Sequence, residues 1–198
     1  SAKIETDFGG FSGSNTMLRI RQAYVNLDWG KSAVLVGITW HPLFGAVMPD
    51  VLNLSTGAPF QPFNRSPQIR YQYKANSRVQ LTASVLWQLQ YLSSGPKGMS
   101  EDYIKNSCIP EMFVGADFTP ADGWLMGLGA HMISLKPRTS TEWKEQTFKV
   151  NERMTAFSYE AHLKYSGRNY TFAAKTLMAS ALDHTALLGG YGVSSVDS

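Results

Sequence analysis

Apolar and polar residues alternate with a period of two along most of the chain, most plainly from Arg78 to Leu92. There Val79, Leu81, Ala83, Val85, Trp87, Leu89 and Tyr91 share one face, while Gln80, Thr82, Ser84, Gln88 and Gln90 share the other, interrupted by Leu86. Strands of soluble sandwiches average about five or six residues, and this run is more than twice as long. A strand that crosses lipid at a tilt needs about nine to eleven residues, with aromatic side chains towards its ends. The same alternation recurs at Gln68–Lys74, Met154–Tyr165 and Tyr170–Met178. It predicts about nine strands, over 2–9, 17–29, 33–41, 67–74, 78–92, 109–118, 124–135, 150–165 and 169–180.

The connections between these strands alternate in length. Short turns fall at Gly30-Lys31, Ala75–Ser77, Thr119–Gly123 and Gly167-Arg168. Long Pro/Gly/Ser-rich loops fall at Pro42–Ser66, Leu92–Cys108, Leu135–Lys149 and from Ala181 onward. Tight turns on one side and long loops on the other are how bacterial outer-membrane barrels are built. The predicted fold class is therefore all-β: an antiparallel up-and-down transmembrane β-barrel, with about nine strands visible as part of a larger one. The loop 42–66 is long enough to be functional, and in a barrel it would fold inward and narrow the pore.

The turns also set registers. A two-residue turn at Gly167-Arg168 sets Tyr165 opposite Tyr170 and Leu163 opposite Phe172 on the apolar face, and Glu160 with Lys175 on the polar face. In the first hairpin Phe8 meets Leu18, Asp7 meets Arg19 and Glu5 meets Arg21. Across Thr119–Gly123, Ala116 meets Met126, Phe113 meets Gly129 and Glu111 meets His131. Each alignment brings apolar partners together on one face and complementary polar partners on the other. Met17–Trp29 does not fit one parity, because Arg19 and Arg21 share theirs with Ala23, Val25 and Leu27. A β-bulge near Gln22-Ala23 would switch the face.

Composition narrows the picture. Of 198 residues, 43% are hydrophobic, 12% aromatic and only 17% charged, with 17 Gly and a net charge of +3. The charge fraction is below the roughly 25% usual for soluble domains. Lys and Arg are dispersed rather than gathered in a patch, which argues against a nucleic-acid partner. The single Cys108 excludes an intrachain disulfide framework. The longest apolar run, near Ala33–Trp40, is far short of the roughly 18 residues of a membrane helix, a limit that does not apply to a barrel. Ser1–Glu5 is not a signal peptide.

Three segments resemble the DcaP-like family of trimeric porins: Leu18-Arg19-Ile20-Arg21-Gln22-Ala23-Tyr24-Val25, Val36-Gly37-Ile38-Thr39-Trp40, and Asn64-Arg65-Ser66-Pro67-Gln68-Ile69-Arg70-Tyr71. The likeness covers the first third by motif and the remainder by the rhythm of strands and loops. It implies a larger barrel of some sixteen strands that assembles as a homotrimer and passes small, often anionic solutes. The odd strand count departs from the even counts of single-chain bacterial barrels. The chain also lacks the family's terminal aromatic strand, so residues 1–198 are expected to be a single barrel domain incomplete at its C-terminal end.

On this reading Arg19, Arg21 and Arg70 point into the polar interior, and Lys74, Arg78 and Lys175 extend a basic track beside Glu160. Basic rings favour anions in a narrow, low-dielectric passage. The competing reading pairs Asp7 and Glu5 with Arg19 and Arg21, and Glu160 with Lys175, leaving Arg70 as the unpaired candidate. His41, His131, His162 and His184 lack metal-ligand spacing, and no cofactor or metal is expected. Gly127-Leu128-Gly129 lacks the helix and Lys-Ser/Thr of a phosphate loop and instead gives Phe113 room to lie across bare backbone. Trp40, Trp87, Tyr91 and Trp124 are candidate membrane-interface anchors.

The expected function is a porin of the bacterial outer membrane, surrounded by lipid, through which small hydrophilic, anion-leaning solutes diffuse past a basic constriction. The alternative is a soluble antiparallel β-barrel that binds a small apolar ligand; it would turn the apolar face of Val79–Tyr91 inward. A third class, a rim-active barrel hydrolase, would use Ser158 and His162, but two side chains on one strand do not make a triad, and no enzyme is expected.

Overall fold

The computed structural model describes residues 1–11, 14–45, 47 and 61–192. The chain opens with β1 (Ala2–Phe11), β2 (Ser14–Asp28), β3 (Ser32–Trp40), β4 (Arg65–Lys74) and β5 (Val79–Leu86). A small hairpin, β6 (Ser94–Gly95) and β7 (Gly98–Met99), then leads to α1 (Asp102–Ser107). β8 (Glu111–Phe118) and β9 (Trp124–Leu135) return to the sheet. A second small hairpin, β10 (Ser140–Trp143) and β11 (Gln146–Lys149), precedes β12 (Met154–Ser166) and β13 (Thr171–Met178).

Nine of these strands form one antiparallel sheet in the order β1-β2-β3-β4-β5-β8-β9-β12-β13, so that each pairs with its neighbour in the chain. The fold is all-β and meandering, as the alternation predicts. The sheet is open: β1 and β13 are its edges, and among the described residues no ladder joins them. The small hairpins and α1 all lie in the long connections, while the tight turns at 29–31, 75–78, 119–123 and 167–170 share the opposite end.

Register departs from expectation in each of the three hairpins, by a bulge that sets Glu5 opposite Gln22 rather than Arg21 in the first and by slips of two residues in the others. Asp7 pairs with Arg19 and Phe8 with Leu18, as the first turn requires. Between Glu5 and Thr6 the register slips, so Arg21 is the extra residue of a bulge, one position from the site expected. Leu18 and Ile20 therefore share the exposed face with Val25 and Leu27, while Gln22 turns to the opposite, buried face.

At the last hairpin Tyr165 meets Phe172, Leu163 meets Ala174 and His162 meets Lys175, two residues from the expected register. Ser166 still pairs with Thr171, and Gly167 N–H bonds Tyr170 C=O at 2.8 Å, so the turn is four residues rather than two. Ala116 likewise meets Leu128 instead of Met126. Trp124 and Leu125 pair only with β12, and Thr119 N–H bonds the Arg78 carbonyl of the next turn. A slip of two keeps every side chain on its own face.

One strand is shorter than predicted. β5 leaves the ladder after Leu86 rather than running to Leu92, because Gln88 turns in to bond Ser93 and Glu111. Leu86, the interruption in the alternation, is buried with Leu43, Phe113 and Leu182. A second apolar cluster joins Tyr103 and Ile104 of α1 to Ile133, Leu135 and Ala156, with Trp87 against it. Both clusters lie where connecting segments fold back over one face of the sheet.

Candidate functional site

The two faces differ sharply. On the bare face Leu81 and Val85 are 43% and 40% exposed, and Leu128 is 67% exposed, while Leu89, beyond the end of β5, is 50% exposed. Ile69, Val114, Phe157 and Phe172 continue this surface. On the covered face Gln68, Ser84, Glu111, His131, Ser158 and Glu160 are buried. Polar residues inside and apolar residues outside invert the usual distribution of a water-soluble chain.

An aromatic row marks the short-turn end. Trp124 stacks obliquely on Tyr165 at 4.8 Å, and Tyr165 on Tyr170 at 5.6 Å, while Trp29 and Phe118 are exposed at the same end. Trp40 and Tyr91, the other candidate anchors, lie at the long-loop end. Trp40 stacks on Phe44 at 4.3 Å, and both Trp40 and Phe63 face the Arg65 guanidinium at 4.9 and 5.8 Å. Arg65 donates to the Tyr91 hydroxyl at 3.3 Å.

The predicted basic residues fall into four groups. Arg19 and Arg21 are neutralised. Asp7 takes two bonds from Arg19 at 2.9 and 2.6 Å and one from Arg21 at 2.8 Å, and Glu5 takes Arg21 at 3.0 Å. Lys74 and Arg78 are exposed at the short-turn rim, away from the rest. Arg70 is on the covered face and touches no carboxylate: it donates to Trp40 C=O at 2.6 Å and to Gln68 Oε1 at 2.7 and 3.1 Å. With Gln72, Gln80, Thr82, Asp117 and His162 it lines a cavity of about 290 Å³ that Pro42 and Gly45 also border.

Lys175 approaches Glu160, as the polar-face pairing suggested, and also reaches the long loop. Its ammonium donates to the carbonyls of Leu43 and of Phe44, the latter at 3.2 Å, and lies 3.9 Å from Glu160 Oε2. The first residues of the long loop, which the sequence places inside, are thus folded onto the covered face and held there. The rest of that loop, at 46 and 48–60, lies outside the described residues. Phe113 lies across Gly115 and Gly129, where an added Cβ would meet its ring at 2.9 and 2.7 Å.

Ser158 and His162 do not combine. Ser158 Oγ is engaged by the Ser180 carbonyl and amide at 3.2 and 3.0 Å. His162 stands between two carboxylates, with Nδ1 3.3 Å from Glu160 Oε2 and Nε2 3.1 Å from Asp117 Oδ1; the second is an ion-pair contact without hydrogen-bond alignment.

A further cluster was hidden from sequence. Glu111 Oε2 lies 3.4 Å from His41 Nε2, 3.3 Å from His131 Nε2 and 3.1 Å from His184 Nε2, while Gln88 donates to Oε1 at 2.9 Å. All five side chains are buried. Burial pushes the His41 pKa down to about 4. For His184 burial disfavours charge, yet the neighbouring carboxylate of Glu111 raises its pKa above the ordinary value. The register of β8 and β9 does bring Glu111 and His131 to one face. Nothing in the spacing announced His41 or His184, which arrive from the loops after β3 and β13. No protein-family model, curated protein or solved structure matches the chain, so the site is read from its own geometry.

Proposed function

We propose that this chain is part of the wall of a bacterial outer-membrane β-barrel, a porin through which small hydrophilic, anion-leaning solutes diffuse. The observation that carries the reading is the inverted sheet: a continuous bare face of Leu, Val, Ile and Phe set against a covered face of Gln, Ser, Glu, His and Arg. Each large apolar side chain left in water forgoes about 1.5–3 kcal/mol of burial. A soluble monomer rarely tolerates an apolar patch beyond a few hundred Å², whereas hydrocarbon removes the penalty. Short turns at one end, long loops at the other and an aromatic row support the same reading.

The open sheet is then nine strands of a larger closed barrel, with outer-membrane lipid on the bare face and water on the other. Homotrimeric assembly accompanies this proposal from the porin resemblance. The constriction is where residues 42–45 fold against the wall beside Arg70, a covered-face cation with no carboxylate contact among the described residues. The soluble ligand-binding barrel fits less well, because Leu81 and Val85 would have to face an interior.

Reconstituting the full-length protein in planar bilayers tests the proposal. Stepwise channels are expected, with a reversal potential under a KCl gradient that favours chloride, and Arg70→Gln should shift that potential towards potassium. Absence of channels, or a strong cation preference in the unaltered protein, would overturn it.

A further inference from the structure

The buried carboxylate of Glu111 collects more imidazoles than hydrogen bonding alone accommodates. Three Nε2 atoms lie 3.1, 3.3 and 3.4 Å from the single oxygen Oε2. One oxygen offers two lone pairs, and a charge-assisted N–H···O bond closes to about 2.7–2.9 Å. As a hydrogen-bonded knot the arrangement is both over-subscribed and long.

Those lengths suit a different occupant. Zinc bonds of about 2.0–2.1 Å in a tetrahedron set neighbouring ligand atoms about 3.3 Å apart, the spacing seen between Oε2 and the three ring nitrogens. The ligand atoms of His41, Glu111 and His184 all lie within 4.8 Å of one another, and His131 stands beside the same oxygen. We propose that His41, Glu111 and His184 bind one divalent cation of the zinc class, with His131 beside the same carboxylate oxygen. Imidazole and carboxylate together are the donor set of such ions.

The surroundings are consistent with a built site. Gln88 holds the second carboxylate oxygen at 2.9 Å, the kind of outer support that orients a ligating carboxylate. Among the described residues His131 Nδ1 and His184 Nδ1 are buried without a hydrogen-bond partner, so either ring can carry its proton on Nδ1 at no cost in hydrogen bonds there once an ion replaces the Nε2 contact to Glu111. His41 differs. Its Nδ1 accepts Leu43 N–H at 3.2 Å, which puts the proton on Nε2; ligation moves that proton and gives up a long hydrogen bond. His41 is therefore the last ligand to close.

The ion would be structural. Its three ligands come from the loop after β3, the start of β8 and the turn after β13, and all are buried. One cation would staple the inward loop and the 182–185 segment to the wall. The site does not depend on the channel reading, because it needs only the folded chain.

The test is metal content and cobalt spectroscopy on full-length protein folded in detergent, stripped with chelator and reloaded with ZnCl₂ or CoCl₂. One retained equivalent of zinc, a raised unfolding temperature and the intense visible absorption of tetrahedral cobalt are expected. Glu111→Gln and His184→Ala should abolish the cobalt bands and weaken zinc binding at least tenfold, with folding checked by circular dichroism. If a variant does not fold, the cobalt spectrum of the unaltered protein still decides. Folded protein that retains no metal and gives no cobalt absorption overturns the proposal. So does metal binding that both variants leave unchanged, since the ion then sits elsewhere. Channel conductance fails or succeeds separately, so loss of one reading does not mask loss of the other.

Discussion

Phe113 shows how a single side chain depends on the absence of others. Its ring occupies space that a Cβ at Gly115 or Gly129 would enter at 2.9 or 2.7 Å, and it closes the apolar cluster with Leu43, Leu86 and Leu182. Gly129→Ala should destabilise the protein by about 1–3 kcal/mol, the usual cost of overpacking. Phe113→Leu in the same chain should recover part of that loss, as read from urea midpoints in detergent. Equal destabilisation in the single and double variants would mean the ring is not the obstacle. Asp7 carries a different prediction: it neutralises both Arg19 and Arg21, so Asp7→Asn should free positive charge and move channel selectivity towards anions. An unchanged reversal potential would place that cluster away from the conducting path. At this scale the sequence was informative where the predicted register held, as with Asp7 and Arg19. It was silent on His41 and His184, because a contact made by a folded-back loop leaves no periodic trace.

Elements obeyed their patterning more closely than their turns did. Each of the nine sheet strands lies where alternation predicted it, since period two survives any error in where a strand stops. The register errors at β8/β9 and β12/β13 came from turn length, which side-chain pattern does not encode; both are slips of two, so faces were right while partners were wrong. β5 ended early for a reason visible only in three dimensions, the capture of Gln88 by Glu111. The tether of the long loop belongs to this scale. Lys175 holds the Leu43 and Phe44 carbonyls, and a hydrogen bond to a charged group contributes about 1.5–3 kcal/mol. Lys175→Met should speed proteolysis of the loop between β3 and β4 in folded protein and raise single-channel conductance. Unchanged cleavage would show that burial of Leu43 alone holds the segment.

Among the described residues the main sheet is a meander with two unpaired edges and one greasy face. Unpaired edges invite pairing with other chains, and the bare face adds apolar area to any such contact. The 198-residue chain in water without detergent should therefore self-associate, and it should become monodisperse in detergent, as light scattering would read. A monodisperse monomer in plain buffer would count against a lipid-facing surface. The nearest-neighbour topology has one more consequence. Since no strand reaches past its immediate companion in the chain, a whole hairpin could be duplicated or lost in evolution without rewiring any other ladder. With strands about 4.8 Å apart, each such event would change the girth of a closed cylinder by about 10 Å, so a lineage could resize its aperture in steps of two strands.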